Sequence, residues 1–341
     1  MAEIEKKRES RLICYLTSDR EGAVAVIARD VLPLFFNQLR GLQKDLKRID
    51  ILLFTDGGDS LAAFALARMI REFVSWVGVL VPHKCHSAGT LFALGANEIF
   101  ITRAGTLSPI DPSVQTPFNP WVEGPAGSRQ QVPVSVESVA GFKDLVTDEW
   151  GIRNEALVIE AFKLLANAVP PLALGDVYRR REQIEQLARR LLKEHREDEA
   201  RISELIAALT KKFGSHDYPI SRSEARDLFG QKQIAPDNPE LEDLVWRLFE
   251  DYTKELQLGT PYNPAVAFQQ LRGQVDKDGK VHIKQNLAVI ENTLTRDVYE
   301  QEILLSEIQA QGPPSLKRVQ LRGLQQEVAD AGWKNYKNPE A

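Results

Sequence analysis

Four short apolar runs, Arg11–Leu16 (RLICYL), Ile49–Phe54, Val77–Val81 (VGVLV) and Glu98–Thr102 (EIFIT), punctuate the N-terminal part of the chain. Each has the length and continuity of a strand buried on both faces. Between them the apolar positions change to helical spacing. Val31, Leu32, Leu34, Phe35, Leu39 and Leu42 predict a helix over Asp30–Leu42, Leu61–Val74 forms a second, and a third follows Ser87. Strand and helix in strict alternation predict a parallel α/β core with right-handed crossovers.

Beyond the fourth strand the pattern loosens. Arg103–Pro133 holds six prolines, at 109, 112, 117, 120, 125 and 133, and reads as a long loop over the sheet's edge. Helices are predicted over Val136–Trp150 and Asn154–Ala168, and Pro170-Pro171 ends the second. Leu174–Phe213 is a long, highly charged amphipathic helix or helix pair, with an apolar stripe of Val177, Ile184, Leu187, Leu191 and Leu192. Its charged positions read as a solvated face. Ser221 and Glu224 form a capping box ahead of Arg222–Phe229, and Pro239–Leu256 is a further amphipathic helix. After Leu256, Asp278-Gly279 marks a hairpin turn, and Val281–Lys284, Ala288–Leu294 and Val319–Leu321 read as short strands. The organisation expected is a core over residues 1–170, a helical arm over 171–256 that completes the core and supplies oligomer contacts, and a C-terminal appendage over 257–341.

Composition narrows the function classes. A chain of 341 residues, 43% hydrophobic and 27% charged, can bury a full core. Its net charge of −5 gives no general affinity for nucleic acid or an anionic membrane. Two cysteines, Cys14 and Cys85, make neither a disulfide framework nor a zinc cluster and fit a reducing compartment. No run approaches the roughly 20 apolar residues of a membrane-spanning helix. The charged start MAEIEKKRES leads into no apolar leader segment, so the expected location is cytoplasmic. Neither a GxGxxG turn nor a GxxxxGK[ST] loop is present, and no nucleotide, metal or other cofactor is expected.

Two turns concentrate the candidate chemistry. DILLFTDGGDS runs from a strand through Gly57-Gly58 into a helix, and VGVLVPHKCHSAGTLFALG runs from a strand through Ser87 into the next. Successive units of this kind put both turns on one edge of a parallel sheet. Ser87 is then either a helix N-cap or a nucleophile facing backbone donors. The amides of Gly57, Gly58 and Ala88 are the candidate oxyanion hole.

The order TDGGD, then HSAGTLFALGANEIFITRAGTLSPIDPSV, resembles the Clp-protease/crotonase superfamily. Within it the chain is similar to the signal-peptide-peptidase-A-like serine peptidases, most of all the serine dehydrogenase proteinase family. PLALGDVYRRREQIEQLARRLL and SHDYPISRSEARDLF extend the likeness across roughly Arg11 to Leu256. The resemblance implies an α/β, Clp/crotonase-like core of parallel strands and crossover helices, with a long helical arm and a small C-terminal β-containing appendage. It implies an ATP-independent serine peptidase acting on peptides or unfolded proteins through an acyl-enzyme at Ser87, assembled as a homo-oligomer. Where the Clp pattern places a histidine base this chain reads LSPIDPS, with Asp111 as an orienting or loop-holding residue. The signal-peptide-peptidase relatives use a Ser-Lys dyad, for which Lys143, beside Val139 and Phe142 on an apolar helix face, is the candidate. His216, in the His216-Asp217 pair, is the rival base. A crotonase-like acyl-CoA enzyme and a catalytically silent scaffold are the alternatives on the same fold.

Overall fold

The computed structural model describes residues 1–42, 46–110, 113–114, 116–123, 129–132, 134–196, 198–311 and 320–337. Its centre is one seven-stranded sheet. Four strands are parallel: β1 (Arg11–Thr17), β2 (Arg48–Phe54), β3 (Trp76–Val81) and β4 (Glu98–Ile101), side by side in that order. Helices α2 (Val31–Leu42), α3 (Ser60–Phe73) and α4 (Ala88–Leu94) form the crossovers. The mixed α/β fold built on a largely parallel sheet is the one the alternating pattern predicts.

The strands read as unbroken apolar runs because both faces are covered. In β1, Ile13 and Tyr15 enter one core layer with Phe35 and Leu39 of α2, Leu66 of α3 and Leu91 of α4. Leu12, Cys14 and Leu16 enter the opposite layer, beneath α1 (Ala2–Arg8) and α10 (Pro239–Leu256), whose Val245, Phe249 and Tyr252 supply the facing stripe. The period-two alternation of the pleat sorts one run between two cores.

After a hairpin over Trp121–Glu123 and Arg129–Gln131 come α5 (Val136–Asp144), α6 (Glu155–Ala168) and α7 (Pro171–Leu192). The helical arm corrects an expectation. Ile184, Leu187 and Leu191 of α7 are 3%, 6% and 1% exposed, within the core layer that contains α3 and α4. The stripe meant for a neighbouring subunit is spent inside its own chain, at about 1.5–3 kcal/mol for each fully buried aliphatic side chain. The charged stretch breaks into α7 and α8 (Glu199–Ala207), so that both halves fold onto that layer. Helix α9 (Arg222–Phe229) starts at the capping box as read: Ser221 Oγ accepts from the Glu224 amide, and Glu224 accepts from the Ser221 amide at 2.9 Å.

The C-terminal strands belong to the same sheet. After α11 (Pro264–Leu271), β5 (Val281–Glu291) pairs antiparallel with β1, followed by β6 (Thr295–Gln311) and β7 (Gln320–Lys337). Asp276–Lys280 turns the chain into β5 and closes no hairpin. The hairpin turn lies at Asn292, whose Oδ1 accepts from the Leu294 and Thr295 amides. β5 joins the stretches read over Val281–Lys284 and Ala288–Leu294, because a register shift near Asn286 interrupts the alternation without ending the pairing, and β6 is a strand the sequence reading missed.

Candidate active site

The parallel strands deliver their turns to one edge. β2 runs out into Thr55-Asp56-Gly57-Gly58, and Asp59 caps α3 by accepting from the Leu61 amide at 2.8 Å. β3 runs out through Pro82 and the short strand Lys84–Cys85 to Ser87, where α4 begins. Bonds from the Thr55 amide to the Lys84 carbonyl and from the His86 amide to the Thr55 carbonyl, each 3.0 Å, sew the two turns together.

Ser87 occupies the capping position of α4 without capping it. Its φ of 50° and ψ of −112° lie where side chains other than glycine are rare, and its hydroxyl bonds to none of the amides of the helix. Among the described residues Oγ has no hydrogen-bond partner. Gly57 makes the tight approach possible. Its φ is +123°, and a Cβ there would come within 2.8 Å of Ser87 Cβ and 3.2 Å of Oγ. Gly58, at φ +138°, lies so close to Ile27 that a Cβ would meet the Ile27 carbonyl oxygen at 2.3 Å. The two glycines let one turn lie against the Ser87 turn on one side and the chain at Ile27 on the other.

The expected oxyanion donors divide. The Gly57 amide does not face Ser87 unpaired: it donates to Thr55 Oγ1 at 3.0 Å, and Thr55 Oγ1 also accepts from Thr17 Oγ1 at 2.8 Å. This is a correction to its reading as a donor, and it arises because the buried hydroxyl two residues earlier turns back onto the amide. Gly58 and Ala88 keep amides that bond to nothing among the described residues. Thr17, Thr55 and Ser108 were not singled out from the sequence. Ser108 stands in the TLSPIDP stretch and accepts the Ser87 amide at 2.7 Å.

Charged groups crowd the same edge. Lys84 binds Asp19 at 2.5 Å and Asp56 at 3.4 Å. Burial lowers its pKa, but the two carboxylates outweigh that and raise it overall, so Lys84 is a fixed cation. His86, beside Ser87, holds Thr106 Oγ1 through Nε2 at 2.9 Å. Burial lowers its pKa, Lys84 and His83 lower it further, and the Asp56 and Asp217 carboxylates offset part of that. His83 stacks against Phe54 and Phe249, whose rings also touch each other, and its pKa is lowered by burial as well.

The two candidate bases lie on other elements, Lys143 on α5 and His216 in the turn before α9. Lys143 is 73% exposed and pairs with Asp144 at 3.2 Å. The apolar face expected to bury it is spent one turn earlier, where Val136 and Val139 pack with Val177 of α7. Lys143 and His216 line one cavity of about 640 Å³, with Ser135, Arg181 and Lys211. Neither hydrogen-bonds to Ser87. Asp111 lies outside the described residues. No group of three or more His, Cys, Asp or Glu side chains capable of holding a metal occurs among the described residues.

The wall that carries Lys143 continues into α6, none of whose residues is buried. Leu157, Ile159, Phe162 and Leu164 are all more than half exposed. No single helix among the described residues is long and apolar enough to cross a membrane, although α6 and α7, bent by 98° at their junction, pass that test of length and composition as a pair.

Several known proteins align with this chain. Two uncharacterized proteins of Methanocaldococcus jannaschii match it. MJ0137 is 29% identical over 191 residues, 56% of this chain and 54% of that protein. MJ1495 is 25% identical over 237 residues, 66% of this chain and 68% of that protein. The match therefore spans about half the length of the first relative and two thirds of the second. Among solved structures, a variant of the 1510-N membrane-bound stomatin-specific protease in complex with a substrate peptide aligns with a TM-score of 0.32 at 17% identity, covering 63% of this chain and 74% of the other. A second variant of that protease aligns with the same TM-score and identity, covering 68% and 84%. The turns described above lie within the match to a family: residues 1–123 fit the model of the ClpP-like SDH-type serine proteinases, in keeping with the resemblance carried by TDGGD and HSAGTLFALG.

Proposed function

We propose that this protein is a serine peptidase that cleaves peptide bonds of unfolded or short polypeptides through an acyl-enzyme on Ser87, without nucleotide hydrolysis. One observation carries the reading. The Ser87 hydroxyl sits at a strained strand-to-helix turn, is withheld from capping the helix it precedes, and lies against a Gly-Gly turn. Such strain is tolerated where it serves a purpose. In the reaction Oγ attacks the scissile carbonyl carbon and gives its proton to a base. The negative charge that develops on the carbonyl oxygen is met by the Gly58 and Ala88 amides. Collapse expels the amine, which takes up a proton, and water then hydrolyses the ester.

The base comes from the wall lined by Lys143 and His216. Lys143 is the first choice, acting as a neutral amine in a Ser-Lys dyad. A lysine works in that way only when burial disfavours its charged form, so the dyad requires α5 and α6 to be covered. A second copy of this chain is the proposed cover. Helix α6 is apolar over most of its surface, with Glu160, Lys163 and Asn167 confined to one side. Its only charged residues are Glu155, Glu160 and Lys163, too little positive charge to favour an anionic lipid surface.

A fluorophosphonate probe tests the nucleophile. The wild type should label and the adduct should map to Ser87. Ser87→Ala should not label, and it should melt within about 0.5 kcal/mol of wild type because no capping bond is lost. A wild type that stays unlabelled, or an alanine variant that labels equally, removes the peptidase reading.

A further inference from the structure

The backbone of Ser87 is held in an unfavourable conformation, and one buried side chain accounts for how. Two of the turn's ties are between backbone groups: the Gly89 amide to the His86 carbonyl at 2.7 Å and the Leu91 amide to the Ser87 carbonyl at 3.0 Å. The Ser87 amide alone is held by a side chain, donating to Ser108 Oγ at 2.7 Å. Ser108 is 1% exposed, and its hydroxyl proton goes to the Pro109 carbonyl at 3.0 Å. With its single proton committed there, the oxygen presents a lone pair to Ser87. The Ser108 amide in turn donates to Thr90 Oγ1 in α4 at 3.0 Å, and the Thr90 hydroxyl donates to the Cys85 carbonyl at 2.8 Å. Two buried hydroxyls thus tie the segment after β4 to the residues on either side of the nucleophile.

We propose that Ser108 is a positioning residue for acylation, holding the Ser87 peptide so that Oγ faces the Gly57-Gly58 turn. The proposal rests on Ser87 being the acylated residue. Without the Ser108 hydroxyl, a partly buried amide loses its acceptor. The simplest relief is rotation of the peptide between His86 and Ser87, which lets φ leave the left-handed region and carries Oγ off its line of attack. Ser108 touches no reacting atom and exchanges no proton with Ser87 Oγ, so its effect falls on the chemical step and not on substrate affinity.

Saturation kinetics of fluorophosphonate labelling on the full chain separate these quantities. In Ser108→Ala the maximal labelling rate should fall about 10- to 100-fold, the cost of misplacing a reacting group by a fraction of an ångström to one ångström. The half-saturating probe concentration should stay within about twofold of wild type. Ser108→Thr keeps the hydroxyl and should restore most of the rate. If the alanine variant lacks the wild-type melting transition, Ser108→Cys, close in volume but a weaker acceptor, is read in its place. An unchanged maximal rate in the variant that is read, or a loss in Ser108→Thr as large as in Ser108→Ala when both melt like wild type, overturns the proposal. A wild type that labels at Ser87 confines that failure to Ser108. A wild type that does not label at Ser87 overturns the peptidase reading and this proposal together.

Discussion

The candidate site has two walls of opposite construction. The inner wall, from Thr55 to Gly58, Ser87 and Ser108, grows out of adjacent parallel strands and is closed by short bonds among buried hydroxyls and amides. The outer wall, α5, α6 and the turn at His216, is thinly packed: Val136 and Val139 of α5 join Val177 of α7 in a small separate cluster, Phe213 and Tyr218 lie against the main core, and α6 leaves Leu157, Ile159, Phe162 and Leu164 in solvent. The inner wall has the strained geometry that the proposed nucleophile needs. The outer wall carries the candidate proton acceptors and leaves apolar side chains exposed. On this reading, chemistry that needs a neutral amine waits on an event that covers the outer wall.

The harshest way to break the inner wall is Gly57→Ala. The new methyl would stand 2.8 Å from Ser87 Cβ at a residue whose φ is +123°. The protein should lose about 1–3 kcal/mol of stability, and labelling at Ser87 should fall by at least about 100-fold, as measured by thermal melts and probe kinetics side by side. Wild-type labelling in this variant would show that the two turns are not in contact. Breaking the outer wall should look different. Lys143→Ala should slow acylation by about 10²–10⁴, the usual worth of a general base, with no change in melting, since the side chain is exposed. His216→Ala should slow it by about tenfold or less. The reverse ranking would move the base to His216.

A smaller effect belongs to the cover itself. Phe162→Glu combined with Leu164→Glu puts two charges on the exposed face of α6. Light scattering should then report a smaller species than wild type, and the labelling rate should fall several-fold as Lys143 stays in water. Melting at low protein concentration should be unchanged, because neither side chain is buried in its own chain. Equal masses for the two proteins would remove the second copy as the cover.

What could be read from the sequence follows the same division. Strands β1–β4 and their turns were legible because both the apolar runs and the turn residues are local signals, and TDGGD and HSAG keep them within a few residues of the atoms they position. Ser108 and Thr55 were not legible as partners of the turns. The Ser108 hydroxyl acts across 21 residues, and Thr55 meets Thr17 on the adjacent strand; the Thr55 bond to the Gly57 amide two residues on is local, but TDGGD is read for its glycines. The stripe of α7 misled for a related reason. Periodicity shows that Ile184, Leu187 and Leu191 must be buried but not against what, and α3 and α4 were the nearer surface. Helix α6, read simply as a helix over Asn154–Ala168, is left uncovered.

The smallest expected effect lies far from both walls and guards the comparison against a confusion. His282 on β5 bonds Glu302 of β6 through Nδ1 and Asp276 of the preceding turn through Nε2, each at 2.9 Å. The Glu302 bond first, and the Asp276 bond after it, raise the pKa of the ring above 6.5. The His282 bond and the Lys280 amide hold Asp276 down at about 2. The signs follow from linkage. The histidine's contribution to stability is fully present below 6.5 and is lost as pH rises through its raised value. The aspartate's contribution is present above 3.8 and is lost as pH falls through about 2. The clamp is therefore complete between about pH 4 and 6.5 and weakens above that, just where a lysine base would begin to gain activity. His282→Gln should lower the melting temperature relative to wild type at about pH 5 and leave it nearly equal at about pH 9. The contribution is small, because the ring is exposed and its ion pairs are screened. The pH profile of Ser87 labelling should be the same in both proteins. If the variant shifts that profile, the rise of activity with pH reports unfolding of the C-terminal strands, and it cannot be used to choose between Lys143 and His216.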